Sequence, residues 1–267
     1  MTPDATSSSY DLPALESALA GTVFAGHLHY APVTNSTNTD ALAAARAVAP
    51  HGSVYFADEQ LAGRGRAGHP WHSAAGRGLY VSVLLRPQIP ALRLPLVPLA
   101  AGLAAAAAIH TSTGLNTDLR WPNDLLIGPR KVGGILVESH TESNSVAFAV
   151  VGIGINVHQR SFDPALSTPA TSLDIEANRR VSRQALLVAL LKSLEREALA
   201  LVDPAAGQAI PGRIEQASTW MRGRSVEVHG PQACTGVTAG LDEHGFLLVR
   251  TANGLVTVQT GGIRAAN

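Results

Sequence analysis

The order of apolar patterns along these 267 residues predicts an α+β fold: a mixed, largely antiparallel sheet flanked by helices, then a small SH3-like β-barrel. Three observations carry that expectation. Four strand-like runs between Asp118 and Val157 follow each other through short turns, which pairs them as an antiparallel meander rather than as βαβ units. Long helical patterns stand before and after that meander, not between its strands. After Ser218 the chain changes to short alternating strands punctuated by turn residues.

The elements follow in order. Leu12, Leu15 and Leu19 have helical spacing, with Asp11 as a candidate N-cap and Gly21 as a stop. A short strand runs through Leu28 and Tyr30. Asn35-Ser36-Thr37-Asn38 is a cluster of capping residues ahead of the helix ALAAARAVA. Ser53–Ala57 reads as a strand, and from Asp58 to Gly78 there is no periodicity; a loop that long is usually functional or disordered. Leu79–Leu85 is a buried strand. The charge-free stretch Leu94–Ile109 predicts a buried helix starting near Pro98, and is shorter than the roughly 20 residues of a membrane span. Strands are expected at Asp118–Trp121, Leu125–Gly128, Lys131–Ser139 and Val146–Val157. Ser182 caps a long amphipathic helix carrying Leu186, Leu187, Leu190, Leu191 and Leu194. Val226–Val228, Gly236–Ala239, Phe246–Arg250 and Leu255–Val258 form the barrel strands. Two domains result, 1–217 and 218–267.

Composition narrows the function classes. With 46% hydrophobic and 15% charged residues the chain has ample material for a core. Twenty basic residues balance 20 acidic ones with no long basic run, unlike a protein that lives on non-specific nucleic-acid binding. The single cysteine, Cys234, excludes an internal disulfide framework and reads as a buried small residue. Met1–Glu16 has acids and no basic n-region, so no signal peptide is expected, and the reading is soluble, cytoplasmic and without a membrane partner. Only two of the 20 basic residues are lysines, Lys131 and Lys192. A lysine kept in so arginine-rich a chain points to a task that a planar fork cannot perform. Lys192 lies on a helix three residues from Glu195 and reads as surface charge; His27 and His29 lack a third metal ligand.

Four segments carry chemistry. In Gly63–Trp71 (GRGRAGHPW), glycines let the backbone approach a ligand and Arg64 and Arg66 offer forked donors for phosphate or carboxylate. It is not a Walker loop, because the Lys-Ser/Thr ending is missing. In Arg120–Asp124 (RWPND), Asn123 supplies an amide and Asp124 a carboxylate able to hold Mg²⁺ beside a nucleotide. In Arg130–Glu138 (RKVGGILVE), Gly133 and Gly134 weaken a strand unless something approaches the backbone there, and Lys131 stands beside them. Gly152–Val157 (GIGINV) again bares one strand face, so the two strands together offer a slot for a flat or chain-like apolar ligand. Each segment alone also has a plain reading as a turn, a surface loop or tight packing.

Together, in order and spacing, these pieces resemble the biotin protein ligase family. The matching residues are Ser36-Thr37-Asn38, Glu59-Gln60, Gly63–Gly68, Trp71, Trp121–Asp124, Lys131–Leu136 and Gly152–Asn156, with a weaker match in the C-terminal β unit ending at Gly261-Gly262-Ile263. The resemblance implies a class II synthetase-like catalytic domain and a two-step reaction: biotin and ATP give biotinyl-5′-adenylate and pyrophosphate, then a lysine of a biotin carboxyl carrier protein takes the biotin. It implies ATP, Mg²⁺ and biotin as ligands, with Lys131, Arg66 and Arg64 as catalytic groups. Biotin contacts are implied at Ser36, Thr37, Asn38, Gln60, Gly63, Arg64, Gly65, Arg66, Lys131, Gly134 and Gly154. Nucleotide contacts are implied at Arg66, Trp71 (a lid over adenine), Asn123, Asp124, Lys131 and Asn156, with Asp124 as the metal ligand.

Departures from the family pattern matter too. Arg120 stands where members often have Lys, and so reads as a charge partner. His69 stands where many bacterial members carry Arg. The catalytic pattern begins at Asn35, which leaves no room for the N-terminal DNA-binding domain of some members, and no DNA partner is expected. A lipoate–protein ligase is the related alternative, against which the GRGR loop and Gln60 argue. A biotin or adenylate sensor without catalysis is the alternative of another class. A homodimer is left open.

Overall fold

The computed structural model describes residues 10–266. The N-terminal reading over Met1–Glu16 therefore lies mostly outside the described residues.

The first half runs α1 (Leu12–Ala18), β1 (Leu28–Thr34), α2 (Thr37–Arg46), β2 (Val54–Gln60), β3 (Gly78–Leu85), α3 (Leu96–Thr113) and β4 (Asp118–Arg120). Then come β5 (Asp124–Ile127), β6 (Arg130–Glu142), β7 (Ser145–Asn156), α4 (Leu173–Ala177), α5 (Arg183–Val202), α6 (Pro204–Gln208) and α7 (Ile210–Gln216). Five strands close the chain: β8 (Arg222–His229), β9 (Cys234–Leu241), β10 (Leu247–Thr251), β11 (Gly254–Val258) and β12 (Gly262–Ala265).

Seven strands form one sheet in the order β1-β2-β3-β7-β6-β5-β4. Only β1 and β2 pair in parallel, joined by the α2 crossover, so the sheet is mixed and largely antiparallel as expected. The last five strands form an antiparallel sheet, β11-β10-β9-β8-β12. Asp11 accepts from Ala14 N and Ser182 from Ala185 N, so both expected caps are made. The Ala-rich helix starts at Leu96, two residues before Pro98, with Pro95 in the N-cap position. By length and composition α3 would pass for a membrane span, but 56% of it is buried, and it serves as a core helix packed on α5. Short helices α4, α6 and α7 and strand β12 were not visible in the periodicity.

Alternation along β3 decides what lies on each side of the large sheet. Leu79, Val81, Val83 and Leu85 enter the main core with α3 and α5, whereas Leu84 packs under α2 with Ala41, Ala45, Phe148 and Val150. Ser82 shares that second face and is fully buried. Trp121 is in the main core, and its indole Nε1 donates to Gly245 O at 3.1 Å in the turn before β10. The same core continues into Val226, Val228, Leu247, Val249 and Ile263, so both sheets share one apolar interior. Cys234 is half-buried at the start of β9, less enclosed than expected, because β9 alternates between covered and open positions there. Lys192 is exposed on α5, as expected.

Candidate active site

The α2 N-terminus was expected to use its polar residues as caps. Ser36 takes the N-cap position, but its side chain makes no capping bond. Thr37 and Asn38 instead turn across the sheet. Thr37 Oγ1 lies 2.8 Å from Ser82 Oγ, and Ser82 Oγ donates to Asn38 Oδ1 at 2.5 Å. Gln60 Oε1, at the end of β2, accepts from Thr37 N at 2.9 Å and Thr37 Oγ1 at 3.1 Å. Ser36, Thr37, Asn38 and Ser82 are all buried, and mutual hydrogen bonds among Thr37, Asn38, Ser82 and Gln60 offset their desolvation and make a fixed polar wall. Asn38 needs Gly152: a Cβ there would overlap its amide oxygen.

The segment after Gln60 is ordered, although its sequence shows no period. Gly65 N donates to His69 O at 2.7 Å and Trp71 N to Gly63 O at 2.9 Å, folding Gly63–Trp71 back on itself. The tip turns at Ala67, which takes a left-handed φ of 53°. A Cβ on Gly63 would come within 2.5 Å of Trp71 O and 2.7 Å of Ser73 Oγ, so only glycine fits. Arg64 pairs with Glu138 at 2.9 Å. Arg66 donates to Gly261 O at 2.8 Å, and burial lowers its pKa while Asp124 works the other way. His69 is exposed at the end of the turn.

The bared strand faces adjoin one another as expected: Gly134 of β6 pairs with Gly154 of β7. The Trp71 indole lies on them, 2.6 Å from where a Gly154 Cβ would be and 3.4 Å from one on Gly134. Lys131 Nζ sits 5.5 Å from the centre of the same ring. The expected adenine lid and the expected chain slot thus occupy one space. Trp71 Nε1 is buried with no acceptor among the described residues, so a carboxylate or phosphate oxygen arriving there would satisfy it.

Ten residues before Lys131, the chain turns at the cis Trp121–Pro122 peptide. Lys131 Nζ lies 2.5 Å from Asp124 Oδ1 and Arg120 Nη2 lies 2.6 Å from Asp124 Oδ2. Burial opposes the Asp124 charge, but Lys131 and Arg120 outweigh it and hold its pKa below the usual carboxylate value. A magnesium site needs carboxylate oxygens left open to the ion. Here both oxygens carry a cation, and no group of three His, Cys, Asp or Glu among the described residues is placed to hold a metal, His27 and His29 included. A Mg²⁺ held by ATP phosphates needs only one or two protein carboxylates, and at Asp124 it would share the carboxylate with these cations.

The two asparagines are also spent locally. Asn123 Nδ2 donates to Ile135 O at 2.7 Å, fastening the turn to β6. Asn156 Nδ2 donates to Thr171 O at 3.0 Å, and its Oδ1 accepts from Gln159 Nε2 at 3.2 Å. Each amide nitrogen keeps a second N–H beyond the bond it makes here. Three residues absent from the expected site join it: Ser82, Ser73, which accepts from Gln60 Nε2 at 2.8 Å, and Glu138. Ser82 had a signal, since a hydroxyl inside the apolar run LYVSVLL needs a buried partner.

Fold and site define a ligase that joins a small carboxylic acid to an acceptor. Residues 30–156 match the Biotin/lipoate A/B protein ligase family. The bifunctional ligase/repressor BirA of Bacillus spizizenii is 34% identical over 249 residues, covering 90% of this chain and 74% of that protein. The biotin–[acetyl-CoA-carboxylase] ligase of Mycobacterium tuberculosis is 33% identical over 240 residues, covering 86% and 85% respectively. Among solved structures, the biotin protein ligase of Aquifex aeolicus in complex with biotin and ATP superposes with a TM-score of 0.75 at 29% identity, covering 90% of this chain and all of that one. The chain belongs to the biotin protein ligase family.

Proposed function

We propose that this protein is an ATP-dependent biotin–protein ligase whose acceptor is a lysine on a biotin carboxyl carrier protein. One arrangement carries the reading. Along the β6/β7 face lie, in order, the polar wall of Thr37, Asn38 and Gln60, the apolar surface of Gly154 and Gly134, and the ammonium of Lys131. Biotin has the same order of parts: a ureido ring, an aliphatic chain and a carboxylate.

The ureido carbonyl and N–H groups are matched by the Ser36–Asn38 turn and Gln60, with the Gly63 and Gly65 backbone alongside. The chain passes over Gly134 and Gly154 once the indole moves aside. The biotin carboxylate then attacks the α-phosphorus of ATP, pyrophosphate leaves, and an acyl-phosphate anhydride forms. In the second step the acceptor amine attacks the acyl carbon, the amide forms and AMP departs. Lys131, Arg64 and Arg66 neutralise charge that builds on the phosphate oxygens, the main demand of such transfers. Their positions support this: Lys131 is held by Asp124, and Arg66 is held over the site from a carbonyl bond that a phosphate can replace. Trp71, Asn123, Asp124 and Asn156 are the nucleotide-side residues in this reading, with Asn123 and Asn156 acting through the turns they fasten. Asp124 is the residue that would hold Mg²⁺ beside the phosphates of ATP. Residues 1–217 form the catalytic domain and 218–267 a smaller one, and the protein works in the cytoplasm.

The test is incubation with ATP, magnesium and either biotin or lipoate, following pyrophosphate release and then label transfer to a carrier domain. Biotin-dependent release and transfer are expected. Turnover with lipoate alone would overturn the substrate, and none with either acid would overturn the activity.

A further inference from the structure

We infer that Glu138 is a positioning residue that straps the glycine-rich loop to the ureido-binding wall, so that biotin recognition and loop closure act through one carboxylate. The inference rests on the biotin reading for its link to the reaction, but the strap itself is a matter of geometry. Glu138 Oε2 accepts from Asn38 Nδ2 at 2.9 Å and from Arg64 Nη2 at 2.9 Å. One oxygen therefore serves a residue of the buried wall and a residue of the loop. Asn38 is buried and its amide orientation is fixed at both ends, Oδ1 by the Ser82 hydroxyl and Nδ2 by Glu138. The side chain spans from α2 past β3 and over the bare Gly152 to β6, a reach that only a residue without Cβ at 152 allows.

The chemistry favours a carboxylate at 138. It must accept two N–H donors, one from a guanidinium, and an ionised oxygen does this better than a neutral amide. Arg64 is 45% exposed and Glu138 27%, so the pair is partly screened and open to exchange with solvent. That suits a strap, which has to hold the loop closed over an intermediate and still release it. Loss of the strap leaves the loop's own backbone bonds intact, and so the effect falls on how long the loop stays closed rather than on the fold.

Two measurements on the full chain separate the strap from its use. The first is amide hydrogen exchange in ligand-free E138Q, with R64A as a second variant at an exposed position. Exchange at residues 63–71 should quicken several-fold in both, with the core strands unchanged. Wild-type exchange rates in the loop would refute the strap whether or not the protein ligates biotin. The second is the dwell time of biotinyl-5′-adenylate formed on the enzyme from biotin and ATP. E138Q should shorten it about three- to fivefold. On an R64A background E138Q should add less than about 1.5-fold, because the two share one contact. A dwell time like wild type's, or a full-sized effect without Arg64, would overturn the coupling. Wild-type protein that forms no adenylate at all would instead count against the biotin reading and leave the exchange result to judge the strap.

Discussion

The Trp71 indole lies against Gly154 so closely that a Cβ at 154 would stand 2.6 Å from the ring. The apolar face proposed for the biotin chain is therefore already covered by the loop's own aromatic residue. Binding requires a displacement, and the displaced group is fluorescent.

Biotin should accordingly shift Trp71 emission. Trp121 and Trp220 are buried elsewhere and should contribute little to the change. In Trp71→Phe the shift should disappear. Gly154→Ala should raise the KM for biotin by about tenfold or more, since the added methyl competes with ring and ligand for one space. An unchanged KM in that variant would show that the chain does not run over Gly154.

Lys131→Arg keeps the charge but replaces a compact ammonium with a planar fork, in a gap bounded by Asp124, the Trp71 ring and Gly134. Adenylate formation in a single turnover should fall by at least about a hundredfold, a loss on the scale of removing one charge-stabilising donor. Wild-type-like kinetics would remove Lys131 from the reaction.

Asp124 sets an acid limit. Its pKa is lowered in the folded state, so the stability it contributes is in full force above the ordinary carboxylate range and is lost as pH falls through the folded value. Thermal unfolding between pH 7 and pH 3 should show a flatter acid decline in Asp124→Asn, from a lower plateau because Lys131 and Arg120 lose their shared anion. Identical slopes in the two proteins would place the acid sensitivity elsewhere.

Ser82 supports the polar wall from beneath. Ser82→Val leaves the buried Asn38 Oδ1 without its donor and Thr37 Oγ1 with Gln60 alone, at a cost of about 1–3 kcal/mol. Denaturant titration should show that loss, and the KM for biotin should rise with it. A neutral substitution would mean that water fills the gap.

Strands came through clearly in the sequence wherever burial imposed a run of apolar residues. β3 and β7 are recognisable for that reason, and α3 and α5 by length and caps. What escaped recognition depended on distant partners or on interrupted periods. Ser82 meets residues 44 and 45 positions away and Glu138 meets Asn38 across 100, separations that no local pattern encodes. The hairpin in Gly63–Trp71 rests on cross-loop backbone bonds and one left-handed alanine, neither visible as periodicity. Helices α6 and α7 are short and begin with Pro204 and Pro211 in their first turns, which hide them as loop. The two cations that hold Asp124 also escape the sequence, because one sequence cannot show which cations a carboxylate will meet.

The bond from Arg66 to Gly261 O joins residues 195 positions apart and ties the glycine-rich loop to the turn between β11 and β12. A ribosome delivers the loop well before this anchor. In a nascent chain Arg66 therefore reaches its resting position only after most of the β-rich segment has emerged, when the polar wall and Lys131 have long been made.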